Sequence, residues 1–97
     1  LTFDPQAMFT AIEHTILAHD SGSGDCKCRS YPAEASNHTH LQLEISMLSK
    51  PHRDEAFTLR LRDAIAAAVK CHLKQSCYIS LAITYSDAMY LTDRHDI

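Results

Sequence analysis

Ninety-seven residues, 45% of them apolar and 22% charged, suit one small globular domain, for which association with further copies is a natural way to bury more surface. A formal charge of −3 supplies no basic footprint and speaks against nucleic acid as a partner. The longest strongly apolar stretch, residues 64–69, falls far short of the roughly 20 residues of a membrane span, and no secretory pattern opens the chain, so the cytoplasm is the expected compartment.

Asp4-Pro5 predicts a helix start, an acid at the N-cap followed by proline at the first helical position. Met8, Ile12 and Ile16, with Phe9 beside them, continue it as an apolar stripe, and the run 20–25 stops it with the chain's only two glycines, giving a helix over 5–19. The segment CKCRSYP, residues 26–32, alternates Cys26, Cys28 and Ser30 with Lys27, Arg29 and Tyr31, and predicts a short strand closed by Pro32. After a polar loop, residues 40–48 form the clearest strand, with Leu41, Leu43, Ile45 and Met47 on one face. A second helix is expected over 53–73, burying Phe57, Leu61, Ala64, Ile65, Ala68 and Val69, with His72 a further candidate for that stripe, and then a last strand over 77–85 and a polar, peripheral tail. The order is α-β-β-α-β in a single domain over 1–97. The fold class is α+β (an α/β sandwich), with the helices on one face of a mixed sheet and a right-handed parallel crossover in the second half.

Arg53 is the residue that this scheme does not explain, because a cation at a helix start opposes the partial positive charge already there. Open backbone N–H groups and a planar guanidinium together suit a carboxylate or phosphate; the plainer alternative is a solvated turn residue offset by Asp54 and Glu55. Lys27, Arg29 and Tyr31 share a strand face and suit either a second carboxylate or a solvent-facing edge. If Arg53 and Arg29 approach one pocket, a dicarboxylate is the natural ligand. His52 is a candidate proton acceptor near pH 7, against a turn histidine.

The four cysteines are expected as reduced thiols, with Cys71 and Cys77 in the core. Cys26, Cys28, His38 and His40 raise a metal-binding module. Cys-x-Cys and His-x-His on strands differ from turn-based zinc knuckles, so small buried residues and loop-edge histidines are expected there and no metal. No Ser-His-Asp or Cys-His arrangement follows from spacing, and no glycine-rich phosphate loop is present.

The α-β-β-α-β order resembles the 5-carboxymethyl-2-hydroxymuconate isomerase family of the tautomerase superfamily. So do the segments CRSYP (28–32), LEISMLSKPHRDEA (43–56) and YISLAITYSDAMY (78–90). The resemblance covers nearly the whole chain, by pattern more than by identity. It implies β-α-β-β-α-β subunits assembled as homotrimers, keto-enol isomerase chemistry in aromatic catabolism, and no metal or organic cofactor. The base it implies is an amino-terminal proline that begins the first strand, with arginines holding the substrate's carboxylates. Arg53 matches the family's arginine at the strand-to-helix turn, with His52 where glycine is usual, and Lys27 and Arg29 match basic residues of the second strand. The proline has no counterpart, since Pro5 matches a helix start, and the lysine that often follows the last strand is missing around residues 87–92. The expectation is a tautomerase acting on a small unsaturated dicarboxylate such as 5-carboxymethyl-2-hydroxymuconate, in a domain without the proline strand. The alternative is a non-catalytic ligand-binding or structural trimer of the same fold.

Overall fold

The computed structural model describes residues 1–97 and contains four regular elements. They are α1 (Pro5–His19), β1 (His40–Leu48), α2 (Glu55–Lys70) and β2 (Tyr78–Ser86). The class is α+β, in the order α-β-α-β, and no helix is long and apolar enough to cross a membrane.

Each helix begins where its sequence supplies a cap. The Asp4 carboxylate accepts from the backbone N–H groups of Gln6 and Ala7 at 3.0 and 3.2 Å, with Pro5 leading the first turn. At α2 the Asp54 carboxylate accepts from Phe57 N–H at 2.9 Å, a contact of the kind worth about 1 kcal/mol. The cap therefore lies one residue past Arg53, and the helix starts at Glu55 instead of 53. It also ends earlier than predicted, at Lys70, as His72 and Leu73 close tighter turns onto the carbonyls of Val69 and Lys70.

The core is a seam between the helices. Met8, Ile12 and Ile16 of α1 meet Phe57, Leu61, Ile65 and Val69 of α2, and each set recurs every four residues on one face of its helix. Leu61, Ile65 and Val69 are fully enclosed. Leu41, Leu43, Ile45 and Met47 of β1 and Leu81 and Ile83 of β2 pack on this seam from one face of the sheet, and remain half-buried. The opposite face, from His40 and Tyr78 through Leu48, is exposed apart from its last position on β2, Ser86.

The sheet has two parallel strands in register from His40 opposite Tyr78 to Leu48 opposite Ser86. Tyr78 donates to the Thr39 carbonyl at 2.8 Å, and Ser49 donates to that of Ser86 at 2.9 Å. Parallel pairing uses alternate residues of each strand, so Leu41, Leu43, Ile45 and Met47 turn their backbone groups toward β2. Those of Gln42, Glu44, Ser46 and Leu48 face an unpaired edge.

The strand predicted over 26–32 does not form, so the expected mixed sheet and five-element order are corrected to two parallel strands and four elements. A strand needs a neighbour's ladder, and this segment has none. It is held instead by Cys26 N–H donating to the Glu13 carboxylate of α1 at 2.8 Å, while Pro32 withholds a donor at its end.

Candidate functional site

The most enclosed polar cluster lies where the end of α1 meets the β1–α2 turn. Asp20, the C-cap of α1, is the buried charged residue of the chain, its side chain 6% exposed. One oxygen, Oδ2, accepts from Arg53 Nε at 2.8 Å and contacts His52 Nε2 at 3.1 Å. Arg53, its side chain only 4% exposed, also donates through Nη1 to the Leu48 carbonyl at 2.7 Å. That carbonyl is on the unpaired edge of β1, so Arg53 satisfies the last acceptor of an edge that has no strand beside it. His52 is the outermost member at 53% exposure, its ring edge-on to Phe57 with centroids 5.7 Å apart.

The electrostatics follow from this geometry. Burial desolvates the Asp20 carboxylate and by itself raises its pKa. The hydrogen bonds from His52 and Arg53, together with the charge on Arg53, outweigh that and hold it below the ordinary aspartate range. Asp20 is thus an ionised carboxylate held between a permanent cation and an imidazole. Arg53 sits at the junction where the sequence places it, but its guanidinium already has an internal carboxylate and carbonyl. The helix N-terminus beside it is closed by Asp54, so the open amides expected there are partly taken.

Lys27 and Arg29 lie in the irregular segment after α1, exposed and without an ion pair, and Tyr31 is likewise exposed. They do not share a strand face, because there is no strand. The buried cation Arg53 and the exposed pair Lys27 and Arg29 thus stand in different environments, one neutralised within the fold and the other free to meet an anion.

All four cysteines are free thiols. Cys26 packs against the core and Cys77 is half-buried, whereas Cys71 is exposed, which corrects its expected place in the core: it follows the last turn of α2, beyond the buried stripe. Burial pushes the Cys26 thiol up, as do Cys28, Glu13 and Asp25. Burial and Glu13 push up Cys28. Neither is poised as a thiolate. Three or more His, Cys, Asp or Glu side chains nowhere gather as metal ligands, so Cys26, Cys28, His38 and His40 do not form the module raised by their spacing.

His38 and His40 instead flank Tyr78 edge-on, at centroid distances of 5.4 and 6.5 Å. With Ser36, Asn37, Ile79 and Ser80 they line a shallow cleft of about 360 Å³ at the start of the sheet. His40 Nε2 lies 2.8 Å from Ser80 Oγ, but no carboxylate joins the pair, which leaves the imidazole without an orienting acid.

Comparison with protein families, curated proteins and solved structures finds no match to this chain.

Proposed function

We propose that this chain is a tautomerase-like isomerase that moves a proton within a small unsaturated dicarboxylate, such as a 5-carboxymethyl-2-hydroxymuconate. The observation that supports the reading is the β1–α2–β2 unit, whose strands pair in parallel over nine registered positions and whose connecting turn holds an arginine. This is the strand-to-helix arrangement on which the resemblance rests. Lys27 and Arg29, unpaired and exposed, are the groups free to neutralise substrate carboxylates and the charge that develops on a dienolate. Arg53 braces the junction and adds its field, while its fork serves Asp20 and Leu48.

In this reading the family's base is not among these residues. Pro5, Pro32 and Pro51 are all internal, so each nitrogen is a tertiary amide with no basic lone pair. No metal or organic cofactor is required, and a homotrimer is the assembly the family implies. The test is ketonisation of 2-hydroxymuconate followed by ultraviolet absorbance, with Lys27→Ala and Arg29→Ala expected to raise KM. Lack of turnover by the unaltered protein overturns the reading.

The neutralised state of Arg53 favours a second reading, a non-catalytic ligand-binding or structural trimer. Sedimentation showing a trimer that binds a muconate-type dicarboxylate but does not ketonise it would select that reading.

A further inference from the structure

Of the seven histidines, His52 is the one in contact with a carboxylate. Its Nε2 lies 3.1 Å from Oδ2 of Asp20, an acid that is itself buried and fixed from the other side by Arg53. Hydrogen bonding to an ionised carboxylate places the proton of a neutral imidazole on the bonded nitrogen. That leaves the Nδ1 lone pair unshared on a ring that is half exposed. Phe57 meets the ring edge-on. Arg53 prevents Asp20 from taking up the proton in place of the imidazole, because the guanidinium favours the charged carboxylate.

We propose that His52, oriented by Asp20, is the proton-transfer group this chain contributes, with Nδ1 as the accepting atom. The proposal rests on the isomerase reading for its substrate and on the Asp20–His52–Arg53 geometry for its chemistry. The enol O–H bond of the substrate breaks, its proton passes to Nδ1, and the O–H electron pair becomes the new C=O π bond. The displaced π pair of the dienol takes a proton from the imidazolium at carbon, so the imidazole returns neutral and nothing is oxidised or reduced. Asp20 acts as a positioning residue: it selects the tautomer and opposes the positive charge while His52 holds the proton. Only Asp20 and Arg53 among the charged groups contact His52 or its partner.

Nitrogen-15 NMR of the histidine side chains reads the first requirement directly, and His52 is expected as the Nε2–H tautomer. An Nδ1–H tautomer overturns the proposal. Ketonisation of 2-hydroxymuconate is expected to fall about 100-fold in His52→Gln, the lower range for loss of a general acid–base group, with a near-wild-type circular dichroism spectrum. A rate within about threefold of wild type also overturns it. If the unaltered protein ketonises nothing, the isomerase reading fails separately, and diethyl pyrocarbonate then decides the dyad. Acylation of His52 faster than of the exposed His14, and slower in Asp20→Asn, supports an activated imidazole; equal rates at the two histidines overturn it.

Discussion

Asp20 and Arg53 form a buried ion pair, Oδ2 to Nε 2.8 Å, that fastens the end of α1 to the turn preceding α2. Its partners explain why neither charge is stranded. Asp20 also meets His52, and Arg53 also reaches the Leu48 carbonyl. Removing one member leaves the other desolvated and unpaired, which is the costly way to break a buried pair. Asp20→Ala is therefore expected to lower unfolding stability by about 3 kcal/mol, measured by urea titration. Arg53→Met in the same background is expected to recover part of that loss, because it removes the orphaned guanidinium. Strict additivity of the two substitutions would show that the pair carries no coupling.

The same carboxylate sets a dependence on acid. Its folded pKa lies below its ordinary value, so the folded state binds the proton more weakly than the unfolded chain does. The stability it contributes is complete above the unfolded aspartate value, about pH 4, and is lost as pH falls through the depressed folded value. The stability gap between wild type and Asp20→Asn is expected to shrink as pH falls below about pH 4. A gap that widens below about pH 4 would reverse the assigned direction.

Both ends of this pair were present as a pattern in the chain. Met8, Ile12 and Ile16 step by four, and the next step is Asp20; Phe57, Leu61, Ile65 and Val69 step by four, and the step before them is Arg53. A charge that continues an apolar stripe is directed toward the core, where it needs a partner of opposite sign. Reading residues 20–25 only as a helix stop hid Asp20, and reading Arg53 only as a helix-start anomaly hid its need for an internal acid. Helix one and the strand over 40–48 were legible to the residue, because caps, glycines and strict alternation are local signals. The strand over 26–32 was not, because alternation reports a face and says nothing of whether an edge is available to pair with it. Which cations are free and which are neutralised is likewise a property of the fold: Lys27, Arg29 and Arg53 look alike in sequence and differ in partners.

Ser23 lies in the same turn, where its backbone N–H donates to the Asp20 carbonyl at 3.1 Å. Its side-chain Oγ is enclosed and has no hydrogen-bond partner. A hydroxyl desolvated without compensation costs about 1–3 kcal/mol, so Ser23→Ala, which keeps the backbone bond, is expected to stabilise the protein by about 1 kcal/mol. Thermal melting reads this as a rise of several degrees in Tm. A fall in Tm would show that the hydroxyl has a partner in solution.

Glu44 and Ala82 are register partners with both side chains exposed on the outer face of the sheet, yet their backbones are unlike. The N–H of Ala82 faces β1, in phase with Tyr78, which donates to Thr39, whereas that of Glu44 faces the unpaired edge. Proline tests the difference, since it removes the donor while sparing the core face. Ala82→Pro is expected to cost about 2–3 kcal/mol, from one lost ladder bond and an acceptor left bare on β1. Glu44→Pro is expected to cost less than about 1 kcal/mol in the isolated chain, as on other edge strands. Urea titration of the two variants at low concentration reads the contrast, and equal losses would mean that the β1 edge is not free. Sedimentation of Glu44→Pro then separates the isolated fold from its assembly: if copies associate by adding a strand to this edge, the variant stays folded but its association weakens.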